Sequence, residues 1–215
     1  MMKTLTFHYD FLSPFAYLAF EQLPQVLDGL SVNVRYRPVL LGALLRSHKL
    51  LGPAEVPHKR EQTYRHALWL GHAHGIPFEL PAQHPFNPLP HLRLALAASE
   101  GGDTNRFVTE TIFRDIWRGG ADPADPARLA ALAGRLPQVR APDSEAVKAQ
   151  LRANTEAAVA AGIFGTPTLE VEGEQFWGFD TLPALRAWLA GDPWFSQPGW
   201  RDAGNRPAWT PPGKS

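Results

Sequence analysis

Leu5, Phe7, Tyr9 and Phe11 alternate with polar neighbours, the period of a half-buried strand. From Pro14 the period lengthens. Phe15, Leu18, Ala19 and Leu23 recur at helical spacing, and Pro24 and Gly29 mark the decline of that pattern. Val32, Val34 and Tyr36 then alternate with Asn33, Arg35 and Arg37 until Pro38 stops the ladder. Strand, helix and strand within residues 1–38 make a βαβ unit, whose crossover is expected to be right-handed.

Residues 39–155 tolerate helical spacing nearly throughout, in the windows 62–74, 91–100, 104–117, 126–135 and 143–161. Pro77, Pro81, Pro85, Pro88 and Pro90 exclude regular helix and central strand from 76–90. That stretch is expected to be an extended connection over the surface or lining a cleft. The period returns to two at Thr168, and Glu172-Gly173 between alternating runs reads as a hairpin turn. A last helix is expected over 182–190. The fold class is therefore α/β: a βαβ…ββα frame from 1–38 and 156–190, with a large all-helical insertion at 39–155.

Residues 191–215 form a Pro/Trp-rich tail with Trp194, Trp200 and Trp209. Tryptophans are costly to leave in water, so the tail is expected to lie on the body or on a neighbouring subunit.

Composition narrows the function. Twenty-one basic residues balance twenty-one acidic ones in a chain of 215, so net charge does not draw it to nucleic acid or to an anionic membrane. A small, locally recognised partner fits better. The longest apolar run, 39–45, is too short to span a bilayer, and Met1-Met2-Lys3 leads into alternation rather than a signal-peptide core. The chain reads as cytoplasmic. It has no cysteine, which removes disulfides, thiolate metal sites and a protein-borne thiol nucleophile. Any sulfur chemistry must come from a ligand. His72 and His74, two apart on a helix, do not face a shared ion, so no metal is expected.

Ser13-Pro14 stands where strand period becomes helix period. An N-cap serine with proline at N1 needs no chemistry to explain it. A hydroxyl at a helix N-terminus also sits where unpaired N–H groups and the macrodipole favour an anion such as a thiolate. A free thiol ionises near about 8.5, and lowering that by about two units, roughly 2.7 kcal/mol, makes it largely ionised at neutral pH. No Gly-x-Ser-x-Gly elbow surrounds Ser13, so a hydrolase nucleophile is not expected.

Three segments carry a resemblance: Asp10-Phe11-Leu12-Ser13-Pro14; Arg37-Pro38 through Val56-Pro57-His58-Lys59; and Gly165-Thr166-Pro167-Thr168 with Phe179-Asp180. In this order they resemble the 2-hydroxychromene-2-carboxylate isomerases and kappa-class glutathione transferases. The resemblance implies a thioredoxin-like frame and a bound glutathione cofactor whose sulfur faces Ser13. It also implies a cis bond before Pro167, although sequence alone favours trans. The Thr166 backbone before Pro167 would pair with the glutathione cysteine, and Phe179, Asp180 and Thr181 would bind the γ-glutamyl end, the Asp180 carboxylate taking its ammonium and nearby N–H groups its α-carboxylate. Lys59 would meet the glycine-end carboxylate.

Each residue also has a plainer reading: Pro167 opening a strand, Asp180 capping a helix, Lys59 on solvated surface. Leu50, His66, Trp69 and Thr181 depart from the family pattern, which has a polar asparagine, acidic and basic residues at those positions. The activity implied is glutathione-dependent isomerisation of a small aromatic substrate, in a homodimer. A kappa-like transferase and a non-catalytic thioredoxin-like binding module are the alternatives. From position in the chain, Phe11, Phe15, Trp69 and Phe86 are the candidates for an apolar substrate cleft, with core packing as the alternative for each.

Overall fold

The computed structural model describes residues 2–207. Strand β1 (Lys3–Tyr9) lies at the centre of a four-stranded sheet of order β2-β1-β3-β4. It runs parallel to β2 (Val32–Pro38), with Phe7 opposite Tyr36, and antiparallel to β3 (Thr168–Val171), with His8 opposite Thr168. Hairpin partner β4 (Glu174–Trp177) follows β3 across a turn in which Glu172 and Gly173 have φ of 49° and 87°. Positive φ at both positions matches the right-handed twist of the strands, and glycine makes the second inexpensive.

The alternation in β1 is realised as burial. Leu5, Phe7 and Tyr9 are fully enclosed, packed with helix α1 (Pro14–Val26) through Phe20 and with Phe113. Pro24 lies inside α1 near its end and does not break it, since only the last turn loses a bond there.

Six helices separate β2 from β3: α2 (Leu41–Ser47), α3 (Pro57–Ala73), α4 (Leu89–Ala97), α5 (Arg106–Trp117), α6 (Pro126–Gly134) and α7 (Glu145–Ala160). The periodicity does not announce α2, which is two turns long. Helix α3 begins at Pro57 rather than residue 62, because proline fits the first helical turn. The proline-rich stretch is non-helical over 76–88, with Leu89 and Pro90 opening α4, and it runs over the surface with Pro77, Glu79, Ala82, Gln83, Pro85 and Asn87 exposed. Ile76 and Phe86 are buried, and Glu79 N–H and Ala82 N–H bond the carbonyls of Trp117 and Ala121.

Helix α8 (Leu182–Leu189) closes the frame. Beyond it Trp200 stacks on Phe176 at 6.2 Å, and Phe195 packs against both rings, whereas Trp194 stays half exposed. Trp209 lies outside the described residues. No helix among the described residues is long and apolar enough to cross a membrane.

Candidate functional site

Because β1 and β3 are antiparallel neighbours, the exit of β1 and the entry to β3 share one edge of the sheet. Ser13 follows β1 and Thr166 precedes β3. The topology thus joins residues far apart in sequence: Ser13 Oγ donates to the Thr166 carbonyl at 3.0 Å and accepts from Ala16 N–H at 3.2 Å. Ser13 is the N-cap of α1, with Pro14 in the first turn and no acidic residue there. Pro14 has no N–H to give and the amides of Ala16 and Tyr17 are spent on Ser13, which leaves the amide of Phe15.

Two side chains hold the loop that carries Ser13. The buried Asp10 carboxylate accepts from Leu12 N–H at 2.9 Å and from Leu41 N–H at 2.7 Å, tying this loop to α2. Burial pushes its pKa up to about 7, against the lowering effect of those two bonds. His84 bonds the Leu12 carbonyl through Nε2 at 2.8 Å and the Tyr64 hydroxyl through Nδ1 at 2.8 Å. Burial lowers its pKa, with the Leu12 bond opposing.

The Thr166–Pro167 bond is cis, as the resemblance implies. Beside it opens a cavity of about 880 Å³, walled by α1, by His66 and Leu70 of α3 with His74 at its C-cap, and by Phe179, Asp180 and the start of α8. His74 meets Phe179 edge-on at 5.0 Å, and His66 meets Phe15 at 5.4 Å. A second cavity, of about 640 Å³, contains Lys59 and shares Phe15 and His66 with the first.

Of the residues singled out in the sequence, Phe15, Thr166, Pro167, Phe179 and Asp180 border the larger cavity, and Ser13 lies against Thr166. Lys59 borders the second. Thr181 turns its hydroxyl to the Gly178 carbonyl at 3.0 Å and borders neither.

Three aromatic candidates for the substrate cleft are corrected. Phe11 continues the inward face of β1 and packs wholly buried against Tyr9 and Phe113. Phe86 is buried against His84 and His91. Trp69 is exposed and packs on His72, because one position before Leu70 lies on another side of α3.

His74, considered in the sequence only as a metal ligand, and Trp177, which stands in the family motif without a role, both border the larger cavity. The i, i+4, i+8 spacing of His66, Leu70 and His74 puts them on one helix face, which was a usable signal. Nothing local marks Trp177, whose ring packs over Phe164 at 4.8 Å.

Residues 4–190 match the DSBA-like thioredoxin domain, and the chain belongs to that family. Among its relatives is a 2-hydroxychromene-2-carboxylate isomerase from Sphingobium xenophagum, 30% identical over 200 residues, which span 88% of this chain and 99% of the relative. Glutathione S-transferase kappa 1 from Rattus norvegicus is 27% identical over 210 residues, or 89% and 92% of the two chains. A solved 2-hydroxychromene-2-carboxylate isomerase superposes with a TM-score of 0.73 at 23% identity, covering 87% of this chain and 94% of that one. Its likeness concerns the fold.

Proposed function

We propose that this chain is a glutathione-dependent isomerase of 2-hydroxychromene-2-carboxylate or a related aromatic catabolite. The observation that carries the reading is the pairing of Ser13 Oγ with the Thr166 carbonyl at the N-terminus of α1, beside a cavity of about 880 Å³, in a chain without cysteine. The relatives named above support the choice of ligand and of reaction.

The residues present suit a thiol peptide. Asp180 and Lys59 place opposite charges on two cavities that share Phe15 and His66, which fits a ligand with an ammonium group at one end and a carboxylate at the other. Bound glutathione supplies a thiolate able to add reversibly to a conjugated carbon, which turns a double bond into one that rotates.

The protein's part is to position and to ionise. An incoming ligand N–H takes the Thr166 carbonyl in strand fashion. Ser13 Oγ is thereby released to donate to sulfur, and the positive end of α1 favours the anion. Phe15, Leu70 and Phe179 wall the cavity with apolar surface, which excludes water from the reacting groups. Reduced glutathione is available in the cytoplasm, where this reading places the chain.

Calorimetric titration of glutathione into the protein and into Ser13→Ala, at about pH 6 and about pH 8, tests the reading. Binding with proton release that depends on Ser13 is the expected result; no binding to the unsubstituted protein overturns it. With 2-hydroxychromene-2-carboxylate offered, full recovery of glutathione is expected, and its net consumption identifies a transferase instead. Light scattering on the same samples tests the homodimer that the family resemblance implies, a monomer being the contrary result.

A further inference from the structure

Thr166 contributes two polar groups at the cavity, and the reading above uses only one. Its carbonyl accepts from Ser13. Its hydroxyl is different: Oγ1 is buried and has no hydrogen-bond partner among the described residues, in a residue 8% exposed that borders the larger cavity. Buried hydroxyls are nearly always paired, and an unpaired one is costly. Thr168, two residues on, satisfies its own hydroxyl by donating to the Gly165 carbonyl at 2.8 Å, so unpaired hydroxyls are not a general feature of this loop.

A valine would fill the same volume as Thr166 without an unpaired oxygen. The hydroxyl therefore needs a partner that the chain itself does not supply. Oγ1 itself is enclosed, so reaching a ligand takes a rotation of χ1 from one staggered well to another. Ser13 Oγ lies 3.0 Å from the carbonyl of the same residue, so a ligand atom that reaches Ser13 also reaches the neighbourhood of the Thr166 side chain.

We propose that the Thr166 hydroxyl is a second hydrogen-bond donor to the sulfur of the bound thiol, acting beside Ser13. The inference rests on the glutathione reading and deepens it. When the thiol ionises its proton leaves to solvent, and the two hydroxyls share the resulting charge; no other bond is made or broken. Two donors stabilise the anion more than one, since each hydrogen bond to a charged group favours the charged form.

The test compares the wild type with Thr166→Val and Thr166→Ser. The ionisation of bound glutathione is followed by thiolate ultraviolet absorption, and binding of S-methylglutathione, which has no ionisable thiol, is measured in parallel. Thr166→Val is expected to raise the thiol pKa by about one unit, equal to a tenfold loss of thiolate well below that pKa. Thr166→Ser is expected to keep the wild-type value, and any loss of S-methylglutathione binding in Thr166→Val to be smaller than the loss of thiolate. An unchanged thiol pKa in Thr166→Val overturns this inference and leaves the glutathione site standing. So does a rise matched by equal loss of S-methylglutathione binding, the mark of a merely structural effect. A wild type that binds neither ligand overturns both.

Discussion

Asp10 and His91 are both buried, and burial works on them in opposite directions. Asp10 holds its proton up to about pH 7, well above its unfolded value. Its contribution to stability is therefore fully present below about pH 4 and is lost as pH rises through about 7. His91, enclosed by Phe11 and Phe86 with neither ring nitrogen hydrogen-bonded among the described residues, has its pKa pushed down to about 4 by burial. Its neutral form supports the fold above about pH 6.5, and that support is lost as pH falls through about 4. Each slope is worth on the order of 3 kcal/mol across its window. His8 and His84, also lowered by burial, act with His91. Urea unfolding between about pH 4 and about pH 7 is expected to show a steeper acid loss in Asp10→Asn and a flatter one in His91→Leu. His91→Leu is also expected to be more stable near neutrality, because the two unpaired nitrogens are gone. Asparagine retains one acceptor for two amides, so Asp10→Asn loses stability overall; the slope is the readout, and an unchanged slope refutes the role given to Asp10. Ser13 was legible in the sequence because a change of period isolates it. Phe11 was assigned to the substrate cleft although its alternation with Tyr9 signals burial, whereas the enclosure of Asp10 and Phe86 depends on contacts with residues distant in the chain.

At the scale of elements, the loop before β3 and the end of β4 are packed as one piece. Gly165 shows how closely: a Cβ built there lies 2.6 Å from Trp177 Nε1. Trp177 borders the larger cavity and rests on Phe164, and an indole ring cannot yield by bending a flexible tip. Gly165→Ala must move that ring or the loop itself. Either displacement reshapes the wall beside Thr166 and Pro167. Glutathione is expected to bind roughly tenfold more weakly, about 1.4 kcal/mol, with a smaller change in unfolding free energy; calorimetry beside urea unfolding separates the two. Equal affinity in the variant means that Trp177 is not part of the binding wall. The hairpin holding Trp177 was readable because Glu172-Gly173 sits between alternating runs, whereas α2 was not, since two turns give too few repeats to establish a period.

At the scale of the whole molecule, the βαβ and ββα ends were readable from periodicity, but the site they make was not. Ser13 and Thr166 meet because β1 and β3 are antiparallel neighbours, and strand neighbours are a property of the folded sheet that no local pattern states. The motif resemblance supplied that link. The tail illustrates the same limit: its tryptophans announced burial, but not what would cover them. Phe176 of β4 receives Trp200 in a near-parallel stack, with Phe195 against both, while Trp188 of α8 meets Phe176 from another side. The tail thus completes the packing of β4 on α8 and stands apart from the cavity, whose walls include none of Trp188, Phe195 and Trp200. Trp200→Ala is therefore expected to lower stability by about 2 kcal/mol and to leave glutathione affinity unchanged. Loss of affinity without loss of stability runs against this account, for it requires the tail to act on the ligand rather than on the fold that holds Trp177 in place.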